Sequence, residues 1–222
     1  ESAGPPPPTI PRRSDEVVAA AEVICTLDAS ELIRDGDTLQ TGIGDVSAAM
    51  AMYLEGKHDL GIHSELIPGG IVDLVDKGVV TGRHKSVHPN KVVGSAVVQV
   101  PRQELERIDM NPDFELYEFS YTDDLGLLTR LENFVAINNA LEVDLTGQVS
   151  AEAFGTKVFS GQEGQSVFAM AAAYSSGRSI TVPPSSVVVD GLRVSRIRAA
   201  FPAASSPRGR RRSRWACSTC GP

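Results

Sequence analysis

The chain has 222 residues, 41% of them hydrophobic, which is enough to bury a sizeable core in one large domain or two small ones. Its formal net charge is −7, but eight arginines (193, 196, 198, 208, 210, 211, 212 and 214) and no acid lie from Arg193 onward, so residues 1–192 carry all 28 acids and a charge of about −15. Such a surface excludes nucleic-acid binding by the domain, and any polyanionic ligand has to be held by local donors rather than by a general field. There is no apolar run of membrane-spanning length and no basic n-region followed by an apolar h-region, so the expectation is a soluble, cytoplasmic protein with no membrane partner.

In chain order, Pro5–Pro8 and Pro11 make residues 1–13 an extended, solvent-facing linker. Ser14 is a plausible N-cap, and Val17, Val18, Ala21, Ile24, Cys25 and Leu32 recur at helical spacing until Asp35-Gly36-Asp37. Strand-like runs follow near Thr38–Thr41, Leu60–Ser64, Val92–Val100, Phe114–Ser120, Phe134–Leu141 and Ser179–Val182. Helix-like runs are interleaved near Val46–Leu54, Gly70–Lys77, Arg102–Ile108 and Gln165–Ala173. This alternation predicts an α/β fold, a mainly parallel sheet covered by helices, over residues 14–197. Residues 198–222 lose hydrophobic periodicity and turn to Ala, Ser, Pro and Arg, so they are expected to be a disordered or aberrant tail. Cys25 reads as a small core residue, and Cys217 and Cys220 form a lone Cys-x-x-Cys without two further ligands nearby, so no metal site is expected.

Two glycine turns and one acid stand out. Gly42, Ile43, Gly44, Asp45 and Val46 follow a strand and open a helix, an arrangement that presents backbone N–H groups to phosphate. Glu65 closes the strand-like run Asp59-Leu60-Gly61-Ile62-His63-Ser64 at the distance where a dinucleotide fold places its ribose-binding acid. Ser47 stands where that fingerprint wants a third Gly or an Ala, and a bare Gly-x-Gly is also an ordinary strand-to-helix turn. Read from the residues alone, Glu65 is a nucleophile, a ribose ligand or a first-turn carboxylate before Pro68-Gly69-Gly70. His63 shares its strand face, and Ser64 points the other way. His58, His84 and His88 show no ligand spacing.

Four segments in order, DTLQTGIG (37–44), DLGIHSE (59–65), NNALEVDLTGQVS (138–150) and FSGQEGQ (159–165), resemble the signatures of the acetyl-CoA hydrolase/transferase family, the 4-hydroxybutyrate and butyryl CoA-transferases among them. The resemblance runs from about Pro5 to Ile197 and is to a second half, joined in the family to a first half by a proline-rich linker. It implies a fold like that of the NagB/RpiA (sugar-phosphate isomerase) and CoA-transferase superfamily. It also implies transfer of CoA between an acyl-CoA and a short carboxylic acid, with acyl-CoA hydrolysis or a non-catalytic CoA- or dinucleotide-binding fragment as alternatives. Glu65 would then be the nucleophile, forming a mixed anhydride and then a glutamyl-CoA thioester.

The same resemblance implies CoA or substrate contacts at Gly42–Val46, Asn138, Gly161 and Gly164, coenzyme A as substrate with no permanently bound cofactor, and a homo-oligomer. Where the family has Gly-x-Gly-Gly-Gln, this chain has Gly161-Gln162-Glu163-Gly164-Gln165, and Glu163 brings a side chain and a negative charge to the second loop.

Overall fold

In the computed structural model, residues 31–42, 53–154, 157–161, 164–183, 185–189, 191–200 and 213–215 are described. The elements are β1 (Thr38–Thr41), β2 (Gly61–His63), β3 (Leu66–Pro68), α1 (Ile71–Asp76), β4 (Val92–Gly94), β5 (Ala96–Val98), α2 (Arg102–Ile108), β6 (Phe114–Leu116), α3 (Phe119–Thr122), α4 (Leu125–Leu128) and β7 (Phe134–Asn139). They continue as β8 (Glu142–Asp144), β9 (Val149–Ser150), β10 (Ala153–Phe154), β11 (Lys157–Val158), α5 (Gln165–Tyr174), β12 (Arg178–Val182), β13 (Ser186–Val189), β14 (Leu192–Ser195), β15 (Ile197–Arg198) and β16 (Ser213–Trp215).

Seven strands form the central sheet in the order β16-β12-β7-β1-β2-β4-β6, and every neighbouring pair runs parallel. Parallel pairing needs a crossover between strands and buries both faces, which is why the strands read as apolar runs rather than clean alternations. β7 shows the two-sidedness directly. Val135 and Ile137 join a core with Leu39, Ile62, Leu74 and Ile180 on one face, while Phe134 and Ala136 join Phe168, Ala171 and Leu128 on the other. The second core seats α5 against the sheet, with the Phe134 and Phe168 ring centroids 6.3 Å apart.

The expected run Val92–Val100 is two strands in different sheets. After Gly94 and Ser95 the chain leaves the central sheet, and β5 pairs in parallel with β3, which has left it in the same way after Ser64. The expected strand Phe114–Ser120 stops at Leu116; the polypeptide turns at Glu118 into the short helix α3. Tyr117 and Tyr121 stack there with ring centroids 4.7 Å apart, and His88 bonds Tyr121 Oη at 2.6 Å and Glu115 at 2.8 Å. β7 ends at Asn139. Of the expected helices, Arg102–Ile108 forms over those residues, Gly70–Lys77 forms as Ile71–Asp76 and Gln165–Ala173 as Gln165–Tyr174.

Residues 1–30, including the linker and most of the first predicted helix, lie outside the described residues, as do Ile43–Met52 and both C-terminal cysteines. Within the segment expected as a tail, Arg198 pairs in β15 with β8 and its guanidinium meets the buried Glu142, and β16 forms the outer strand of the central sheet beside β12.

Candidate functional site

All seven strands point their carboxyl ends the same way, and in parallel α/β sheets ligands collect there. Glu65 stands at that edge, half-buried, in the bend between β2 and β3. Its carbonyl accepts from the Ser95 N–H at 2.7 Å and the Ala96 N–H at 3.2 Å, so the paired departures of β2 and β4 from the sheet fix its backbone. Ser64, fully buried, accepts from the Thr41 N–H at 3.2 Å and donates to the Thr41 carbonyl at 3.0 Å, locking the end of β2 to the end of β1.

The Glu65 side chain meets another acid. The carboxyl of Asp123, just after α3, lies beside it. Burial first and the Glu65 charge second push Asp123 up to about 6, against the pull of a hydrogen bond from Thr122. Thr122 donates to Asp123 Oδ1 at 3.0 Å and is itself 2.6 Å from Ser95 Oγ. Over the pair lies Gly164, the N-cap of α5: a Cβ at that position would stand 2.5 Å from both Asp123 Oδ2 and Glu65 Oε2. Only glycine lets the backbone come this close, and it brings the positive end of a ten-residue helix against the two carboxyls.

Glu65 and Gly164, named from sequence on separate segments, are thus in one place. Gly161 is exposed, with open space where a Cβ would be, and Gln162 and Glu163 lie outside the described residues. Of the first glycine turn, Gly42 alone is described; Ile43, Gly44, Asp45 and Val46 are not. The Gly42 N–H donates to the Ile137 carbonyl at 3.0 Å, so it extends the β1–β7 ladder and is not a free phosphate donor. Gly42 instead packs against Asn138, whose Oδ1 would lie 3.3 Å from a Cβ there. Asn138 is buried at 6% exposure and its amide is paired with Gln40 in both directions, at 3.2 and 3.1 Å, leaving one N–H to offer.

His63 is fully buried, and burial together with the charges of Lys85 and His88 pulls it down to about 3, so it stays neutral. Neither ring nitrogen has a hydrogen-bond partner of normal geometry among the described residues, although the Thr122 backbone faces the ring. Lys85 reaches under the sheet past Gly61, where a Cβ would stand 2.6 Å from its Cγ, and donates to the Ile62 and Lys91 carbonyls at 2.7 Å each. Sequence reasoning missed Asp123, Gln40 and Lys85. Asp123-Asp124 before a leucine run reads as a helix cap, which Asp124 is, accepting from the Leu127 N–H at 2.6 Å.

The family profile of the acetyl-CoA hydrolase/transferase C-terminal domain matches residues 102–213. The chain belongs to this family. The 4-hydroxybutyrate coenzyme A transferase of Clostridium kluyveri is 36% identical over 170 residues, covering 77% of this chain and 39% of its own length. A solved 4-hydroxybutyrate CoA-transferase from Porphyromonas gingivalis superposes with a TM-score of 0.69 at 35% identity, over 81% of this chain and 42% of the other. RipA from Yersinia pestis gives a TM-score of 0.75 at 28% identity, over 89% of this chain and 43% of RipA. The chain therefore spans about two fifths of the length of the relatives it matches.

Proposed function

We propose that this chain carries the nucleophile of a CoA-transferase, and that Glu65 is that nucleophile. The observation that carries the reading is the placement of the Glu65 carboxyl at the strand carboxyl ends, directly beneath the glycine that opens α5. A carboxylate attacking a thioester needs no base to remove a proton, but each tetrahedral intermediate needs N–H donors, and the start of α5 lies against Glu65 to supply them.

In the proposed reaction, Glu65 attacks the acyl-CoA carbonyl carbon and the C–S bond breaks, giving CoA thiolate and an acyl-glutamyl anhydride. The thiolate then attacks the Glu65 carbonyl carbon of the anhydride and the C–O bond breaks, releasing the acyl group as a carboxylate and leaving a glutamyl-CoA thioester. An incoming short carboxylate takes the CoA by the reverse steps. Hydrolysis differs only in admitting water to the same thioester. The names borne by the relatives, among them 4-hydroxybutyrate, butyrate, acetate and succinate CoA transferases, support short carboxylates as the exchange partners. The relatives' greater length supports an amino-terminal half of the same family as the missing wall of the acyl site, and we expect the assembled protein to be a cytoplasmic homo-oligomer. The Gly42–Val46 turn, Asn138 and Gly161 remain the proposed contacts for CoA and acceptor. For Gly42 the contact is through close backbone approach, its N–H being spent on the sheet.

The test is covalent trapping. With an amino-terminal half of the family supplied, incubation with acetyl-CoA should load CoA onto Glu65, and borohydride should reduce the thioester to an alcohol seen by peptide mass. Glu65→Gln keeps the size and removes the anion, so loading and CoA exchange should vanish while CoA affinity persists. Full exchange in Glu65→Gln would rule the mechanism out.

A further inference from the structure

We propose that Asp123 is a positioning residue for Glu65 with two settings: protonated, it donates from Oδ2 to Glu65 Oε2 and holds the nucleophile against α3; ionised, it repels Glu65 and frees it to swing out to a thioester. The inference rests on the reading of Glu65 as nucleophile for its consequence in catalysis, but not for the pairing itself. Asp123 Oδ2 and Glu65 Oε2 each lie 2.5 Å from the position a Gly164 Cβ would take, so the two carboxyls sit within reach of one another. Asp123 Oδ1 is already occupied as an acceptor for Thr122, so the proton belongs on the oxygen that faces Glu65. Two carboxylates in contact resist ionising together, and the second proton is held accordingly.

Apart from the start of α5, whose positive end faces both carboxyls, the neighbours of Asp123 supply nothing to neutralise the pair. From β2 comes His63, which burial keeps neutral, and from the bend after it Glu65 itself. From the β4–β5 bend comes the Ser95 hydroxyl, acting through Thr122. α3 contributes Tyr121, whose hydroxyl is turned to His88 and, beyond it, Glu115. α4 contributes Asp124, committed to the Leu127 N–H, and α5 has no charged group in its first turn. Among the described residues no lysine or arginine acts on Asp123, and its only charged influence is Glu65.

Conversion of Glu65 to its CoA thioester removes the negative charge that holds the Asp123 proton. That proton then leaves to solvent, so loading Glu65 at a pH where Asp123 starts protonated should release up to about one proton per thioester formed, and close to none where it starts ionised. Attack by the next carboxylate restores the Glu65 charge and takes the proton back.

The decisive experiment is a carboxyl titration of the 222-residue chain by carbon-13 spectroscopy with labelled aspartate, a readout that needs no turnover. Asp123→Asn identifies the resonance. We expect it to titrate near 6 in the wild type, and to fall by a unit or more in Glu65→Gln, which keeps the shape and removes the charge. Glu65→Ala repeats the comparison if the glutamine variant folds poorly. An Asp123 that titrates below about 4.5 in the wild type, or one indifferent to both Glu65 variants, overturns the proposal. In the assembled enzyme, exchange of CoA between acetyl-CoA and butyrate should rise with pH through a limb near 6, and Asp123→Asn, whose amide cannot change charge, should lose that limb. A limb retained in Asp123→Asn also overturns it. If no exchange occurs while the Asp123 resonance shifts in the Glu65 variants as expected, the nucleophile reading has failed and the pairing stands.

Discussion

Two acids at opposite ends of one sheet, Asp37 buried and Asp123 half-buried, have opposite partners. At the amino ends of the strands, Asp37 accepts from the Arg34 N–H at 2.7 Å and is paired with the Arg178 guanidinium across β1, β7 and β12. At the carboxyl ends, Asp123 faces Glu65. Burial raises both acids above the usual carboxylate range, but at Asp37 a backbone donor and a cation push back, whereas at Asp123 the neighbouring charge adds to the rise. A pairing that stabilises the fold puts unlike charges together. One that puts like charges together costs stability, and such costs concentrate where chemistry needs them.

The comparison breaks most visibly at Arg178. Arg178→Met leaves Asp37, which is 2% exposed, as an uncompensated buried acid, and should cost about 3 kcal/mol or more in urea unfolding. Adding Asp37→Asn should recover much of that. A loss below about 1 kcal/mol in the single variant would mean that the cation contributes little at that end. At the other end the largest effect is on activity. Gly164→Ala drives a methyl into Asp123 Oδ2 and Glu65 Oε2, and displacement of the carboxyl by about 1 Å should lower CoA exchange roughly 10²-fold. Near-normal exchange would show that the carboxyl pair does not have to sit under the helix start.

Acid stability sharpens the contrast further. His63, pulled down to about 3, stays unprotonated in the fold while the unfolded chain protonates it near its ordinary value, so its contribution to stability is lost as pH falls from about 6.5 toward 3. Asp123 works the other way. Raised to about 6, it binds a proton in the fold before the unfolded chain does, and stability is gained as pH falls from about 6 toward 4. Asp123→Asn removes the like charge at every pH, so the variant should be more stable than wild type in urea unfolding at pH 7, and that excess should vanish as pH falls through about 6 toward 4. An equal difference at pH 7 and pH 4.5 would detach Asp123 from Glu65.

A separate effect is expected on the alkaline side. Burial pulls Lys85 down to about 7, against the Glu115 charge. Between about 7 and its ordinary value the unfolded chain holds the proton that the fold has given up, so stability should climb with pH across that window. Lys85→Met should flatten the climb; an unchanged slope in urea melts at pH 7.5 and 9.5 would show that the two carbonyls keep Lys85 charged.

Much of the scaffold was legible because local patterns decide it. Thr38–Thr41 and Arg102–Ile108 form over the expected residues, and Gln165–Tyr174 runs one residue further. The misreadings occur where tertiary pairing overrides a continuous pattern. Val92–Val98 is uniformly strand-like in sequence, yet it divides at Gly94-Ser95 because β5 finds its partner in β3. Leu116–Phe119 keeps its apolar alternation while the aromatic contact of Tyr117 with Tyr121 favours a helical turn. In the site, Glu65 was legible from its motif and its strand end, and Gly164 from its glycine pattern. Their contact with each other and with Asp123 was not, since three segments far apart in sequence meet there and no spacing rule records it. For Gly42 the motif suggested a free donor, but the strand ladder claimed the N–H first.

The bend at Glu65 has a spectroscopic consequence. Its single carbonyl oxygen receives two consecutive amides, Ser95 and Ala96, from the neighbouring strand. Parting of that fork frees both protons together, so their exchange with deuterium should proceed in step and report the opening of the Glu65 backbone. Slowing of both amides on addition of CoA, with distant amides such as Leu60 unchanged, would register occupancy of the site in a sample that performs no turnover.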